Sequence, residues 1–134
     1  MSELARASDW LAVWADQRRM PKDVVFAIRL CLEEVLANIV MHAFDGGEHA
    51  ILLSIRSDVT EVVVSVEDDG RPFDILATPN TTMTAVSLVE AESGGRGLSL
   101  IKAYANHLAY RHDGGWNHLL MAFTRVDDKP TPDR

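Results

Sequence analysis

Three residues able to do chemistry recur at four-residue intervals in the stretch EEVLANIVMH: Glu34, Asn38 and His42. A carboxylate can take up a proton, an amide carbonyl can ligate a hard cation, and an imidazole can carry a proton or bind a softer metal. At about 3.6 residues per turn, a four-residue step overshoots a full circle by only about 40°, so on a helix the three side chains share a stripe and face a common object. A plainer reading, boundary residues of an amphipathic helix, fits this segment at least as well. Glu33 stands about 100° away from the stripe and is not part of it.

Two further segments bear on the choice. The branched run EVVVSVED ends in Glu67, Asp68 and Asp69 and is followed by GRPFD, whose Gly and Pro signal a loop. Asp68, at a strand end, could accept a hydrogen bond from the exocyclic amine of adenine. Farther on, Gly94, Gly95 and Gly97 in GGRG precede an apolar helical pattern, where unpaired amides and the positive end of a helix dipole could meet anionic oxygen. With Asn38 as a hard oxygen ligand suited to Mg2+, these segments supply what a nucleoside triphosphate needs: a metal ligand, a base contact and free amides. Each alone is weak, since GGRG is ordinarily a helix-start turn and Asp-Asp-Gly a solvated turn. Neither a Gly-Lys-Ser/Thr phosphate loop nor a dinucleotide-type GxGxxG is present.

The elements that must position these residues follow from the patterning. With 134 residues, 47% hydrophobic and 25% charged, the chain is expected to form one globular domain. Its net charge of −7 opposes a broad nucleic-acid interface but not a compact nucleotide site. The single cysteine, Cys31, allows no internal disulfide and reads as a small buried helix residue. The first nineteen residues carry early charges and no uninterrupted apolar core, so neither a signal peptide nor a membrane span is expected and the location predicted is cytoplasmic.

Ser8-Asp9 reads as the start of a helix with Trp10, Leu11 and Trp14 on its apolar stripe. That stripe is expected to pack inward; exposed, it would be a candidate partner surface. A longer helix is predicted from Pro21 to Phe44, stopped by Asp45-Gly46-Gly47, with Val24, Ile28, Leu32, Val35 and Ile39 facing the core. HAILLSIRS and EVVVSVED then form a hairpin, and a long aperiodic stretch leads to GGRG and a helix with Leu98, Ile101 and Ala105 inward. A last hairpin turns at Asp113-Gly114-Gly115, and DDKPTPDR is a polar tail.

In order and spacing, EVLANIVMH, DDGRPFD and GGRGLSLI resemble the three boxes of the Bergerat-fold (GHKL) ATPase superfamily over Pro21 to Val126. Total length, the ExxxNxxxH box followed by an aromatic, and Pro-Phe-Asp after the second-box glycine are most similar to its anti-sigma-factor serine/threonine kinases. The resemblance implies an α+β two-layer sandwich, a mixed, mainly antiparallel sheet covered on one face by helices. The domain would span residues 1–126 with an ATP lid at about 75–96, and 127–134 would be a flexible tail.

It also implies ATP and Mg2+ as cofactors, Glu34 as general base and Asn38 as the Mg2+ ligand. Asp68 would read adenine, and Gly70 would let the chain pass close to the base. Gly95, Arg96, Gly97 and Leu98 would form the phosphate-side lid and helix entrance. His42 fits the box, with packing or hydrogen bonding its expected task. The partners implied are a small anti-sigma antagonist of STAS type, which would be phosphorylated, and a sigma factor; a homodimer is left open.

Residues 72–95 hold no Lys or Arg, whereas such kinases commonly carry a basic lid residue. Asn117 and His118 stand where relatives often have a threonine supporting the adenine contact, and the opening helix stands where a dimer-forming strand is often found. A second expectation therefore stands beside the kinase: a nucleotide-controlled binding module with little or no transfer. A histidine kinase subunit acting in trans is disfavoured by the second box.

Overall fold

The computed structural model describes residues 3–77 and 96–125. Helix α1 (Glu3–Gln17) precedes α2 (Lys22–Asn38), which passes into a π-helical turn, Ile39–Ala43. Strands β1 (Ile51–Ser57) and β2 (Glu61–Asp68), a 3-10 turn at Ile75–Ala77, α3 (Arg96–Tyr104), and strands β3 (His107–Asp113) and β4 (Trp116–Thr124) follow. Among the described residues the strands form one sheet in the order β1-β2-β4-β3, with each pairing antiparallel.

Alternation places Val62, Val64 and Val66 of β2 beside Leu119, Met121 and Phe123 of β4 on one face, all buried. Against that face lie Leu11 of α1, Ile28, Cys31, Leu32 and Val35 of α2, and Ile101 of α3. The chain is thus an α+β two-layer sandwich with helices over one side of the sheet. No helix among the described residues is long and apolar enough to cross a membrane.

Local chemistry sets the connections. Asp58 takes the amides of Thr60 and Glu61 at 2.8 and 3.0 Å and closes the β1–β2 turn. Gly114 and Gly115 connect β3 to β4 with φ of 62° and 84°, the sign a two-residue hairpin turn requires at both positions.

The helices depart from the sequence expectation at their ends. Helix α1 begins by Glu3 and runs through Ser8-Asp9, because Ala7 lies on the same buried face as Leu11 and Trp14 and extends the packing backwards. Pro21 caps α2 from outside, with φ −59° but an extended ψ of 141°. The long helix stops being α-helical after Asn38, and Phe44 N donates to Ile39 O at 3.1 Å, a five-residue span.

Helix α3 starts at Arg96, so Gly97 lies inside its first turn instead of preceding it, among the amides a helix leaves unpaired. Gly94, Gly95, most of the expected lid, the tail and the side chains of Arg96 and Leu98 lie outside the described residues.

Candidate functional site

The end of α2 and the end of β2 meet at one edge of the sandwich. Asn38 and Asp68 are both buried polar residues, and together with Val35, Ile39, Phe73, Ile75, Tyr110, Asn117 and Leu119 they line a single cavity. The structure therefore brings together the two residues expected to ligate metal and read a base. The cavity measures about 20 Å³, room for one water molecule. A cavity of that size does not hold a nucleobase.

Asn38 donates its Nδ2 to the Glu34 carbonyl oxygen at 2.7 Å, one turn back along α2. That bond commits the nitrogen and leaves the amide oxygen as the available ligand atom. Among the described residues no group of three His, Cys, Asp or Glu side chains is placed to hold a metal. A hard cation that keeps its waters and leans on substrate phosphates nevertheless suits a lone amide oxygen, so the donor set fits Mg2+. Glu34 is half-buried at the same stripe. Burial, and then the Glu34 charge, push the Cys31 thiol up to about 12, so Cys31 is an inert core residue.

Asp68 Oδ1 accepts from Gly70 N and from Asn117 Nδ2, each at 2.9 Å. Gly70 is there for a steric reason: a Cβ would stand 2.5 Å from the Ala43 carbonyl oxygen and 2.9 Å from the Ala43 Cβ. The close approach at Gly70 is thus to the π turn. Arg71 completes that contact, donating N to Ala43 O at 2.9 Å and Nε to His42 O at 2.7 Å.

His42 lies within the π turn. Its ring stacks on Phe73, 4.9 Å between centroids at 19°. His42 therefore meets the cavity through one of its walls.

Asp69, next along the chain, points elsewhere. It accepts from Ala50 N at 3.0 Å and meets His49 Nδ1 at 3.1 Å, while His49 Nε2 meets Asp45 Oδ1 at 3.1 Å and Gly46 O at 2.9 Å. Phe44 stacks on the His49 ring at 4.2 Å. Burial pulls the His49 pKa down, but the acceptors Asp45, Asp69 and Gly46 outweigh it and raise the value above 6.5. The Ala50 amide, and then His49, hold Asp69 below its ordinary value against a burial effect of opposite sign.

Sequence reasoning gave no role to Tyr110, Phe73 or the His49 cluster, and saw Asn117 only as a departure from a family pattern. Counting back along β4 from Phe123 puts Asn117 on the core face, which is a legible signal. Its pairing with Asp68 depends on β2 and β4 being neighbours, which no local pattern states.

Residues 1–123 match the family described as histidine kinase-like ATPase domain. The serine/threonine-protein kinase BtrW of Bordetella bronchiseptica is 35% identical over 113 residues, 84% of this chain and 79% of BtrW. Among solved structures, the catalytic domain of the histidine kinase ThkA is similar with a TM-score of 0.54 at 12% identity, over 92% of this chain and 93% of that one. The blue-light activated histidine kinase of Erythrobacter litoralis EL346 also gives a TM-score of 0.54, at 22% identity over 84% of this chain; the match spans about a third, 34%, of that protein. At these identities the structural likenesses speak for the fold.

Proposed function

The chain belongs to the histidine kinase-like ATPase family, and from that premise we propose that it is an ATP- and Mg2+-dependent protein serine/threonine kinase of the partner-switching kind. Its substrate is a small anti-sigma antagonist of STAS type, its other partner a sigma factor, and its place the cytoplasm. The observation that carries the reading is the shared cavity of Asn38 and Asp68. The likeness to BtrW, itself a serine/threonine-protein kinase, supports a hydroxyl as acceptor.

In this reading Asp68 receives the adenine amine and Asn38 holds Mg2+ through its amide oxygen. Held there, the ion would supply charge neutralisation to the phosphates, which phosphoryl transfer needs more than covalent help. Glu34 takes the proton of the attacking serine or threonine hydroxyl as its oxygen bonds to the γ-phosphorus and the bond to ADP breaks. Gly95, Arg96, Gly97 and Leu98 carry the phosphate side.

A second reading, a nucleotide-controlled binding module, is favoured by the absence of Lys and Arg from residues 72–95. Incubation with labelled ATP, Mg2+ and a candidate STAS-type antagonist decides between them. Label on a serine or threonine of the antagonist is the kinase result, lost in Glu34→Ala while ATP binding persists. ATP that stays bound and untransferred overturns the kinase reading in favour of the module.

A further inference from the structure

One oxygen of Asp68 is already spent, since Gly70 N and Asn117 Nδ2 both donate to Oδ1. Oδ2 makes no hydrogen bond among the described residues. The residue that enforces this asymmetry is Asn117, buried directly across from Asp68 in the β2–β4 pairing.

An amide side chain has two N–H donors and two acceptor lone pairs, and Asn117 uses all four within the protein. Nδ2 donates to Asp68 Oδ1 at 2.9 Å and to Arg71 O at 2.8 Å. Oδ1 accepts from Phe73 N at 3.1 Å and from the Tyr110 hydroxyl. The orientation is not interchangeable: a carboxylate and the Arg71 carbonyl only accept, and the Phe73 amide only donates. A flipped amide would set oxygen against both acceptors and nitrogen against a donor, which is costly in a buried site.

With no hydrogen-bonding capacity left, Asn117 does not itself read a ligand. We infer that Asn117, locked by the Tyr110 hydroxyl, is a positioning residue that fixes Asp68 with Oδ2 toward the exocyclic amine, and so sets selectivity for adenine over guanine nucleotides. The inference rests on the reading of this cavity as the ATP site.

The physical basis is the difference between a held and a free acceptor. A fixed carboxylate oxygen meets the adenine amine favourably and repels the carbonyl oxygen guanine presents there. A carboxylate free to rotate relaxes away from that repulsion and discriminates less. Tyr110 lies diagonally across the β3–β4 hairpin on the same face, so its hydroxyl reaches Asn117 from the third strand.

The test measures affinities for ATP, GTP and purine riboside triphosphate, which lacks the amine, in the wild type, Asn117→Ala and Tyr110→Phe. Tyr110→Phe removes one hydroxyl and keeps the ring, so it remains informative if Asn117→Ala fails to fold. Asn117→Ala is expected to lower the ATP/GTP preference about tenfold and Tyr110→Phe about threefold, in keeping with the loss of one positioned hydrogen bond. Binding of purine riboside triphosphate should change little. Equal losses for all three nucleotides, or no loss for any, overturn the inference and leave Asn117 a structural residue. A wild type that binds no ATP defeats the underlying reading of the cavity, a different and separable failure.

Discussion

Asp68 and Asp69 are neighbours with opposite tasks, because side chains at a strand end alternate between faces. Asp68 turns into the cavity, and Asp69 turns to the His49 ring that fastens the loop after the π turn. That fastening titrates. With a folded pKa raised above 6.5, His49 contributes stability that is fully present below about pH 6.5 and is lost as pH rises through the raised value. The Asp69 contribution has the opposite sense: present above its ordinary 3.8, it is lost as pH falls through its lowered value. Denaturant titrations of the wild type and His49→Ala should therefore differ most near about pH 6 and converge toward about pH 9. A difference that does not vary with pH would contradict the assignment. None of this was legible in the sequence, since His49 meets Asp69 from twenty residues away and only the folded hairpin brings them together. Asn38 and Asp68 were legible, because helical period and strand end are local properties.

At the scale of elements, the π turn decides more than its five residues suggest. It presents His42 to Phe73, lies against Gly70, and offers the Ala43 carbonyl to the Arg71 amide. The loop after β2 is thereby docked on the end of the long helix, with the Phe73 ring over the cavity. Periodicity predicted the helix and its buried face correctly, from Val24 to Ile39. It could not anticipate the turn, because insertion of one residue into a helical ladder answers to tertiary contacts and not to the local pattern. The start of α1 was missed for a similar reason: a cap-like Ser8-Asp9 yields when Ala7 gains a buried face. Because Phe73 helps close a cavity the size of one water, Phe73→Ala should raise the association rate of ATP, on the order of threefold if the ring must swing aside in the wild type. Stopped-flow measurement checks this, and a slower association would show that the ring welcomes the nucleotide instead of obstructing it.

For the whole molecule, the sequence carried the architecture because its signals agree with one another. A first hairpin of branched strands, a last hairpin turning at Gly-Gly with positive φ, and apolar helical stripes all fit one sheet under one helical layer. What it did not carry was strand order, and with it the register that sets Asn117 opposite Asp68. Strand order also explains why residues from the second helix, the second strand and the last hairpin form one cavity despite their separation along the chain. Family membership and the BtrW likeness then give that cavity its proposed occupant. Titration calorimetry of ATP into the full chain, with and without Mg2+, tests the central claim most directly. The account predicts one ATP per chain, with an Mg2+-dependent gain that Asn38→Ala removes while the domain stays folded. No heat of ATP binding with Mg2+ present, or a gain from Mg2+ unchanged in Asn38→Ala, would contradict it.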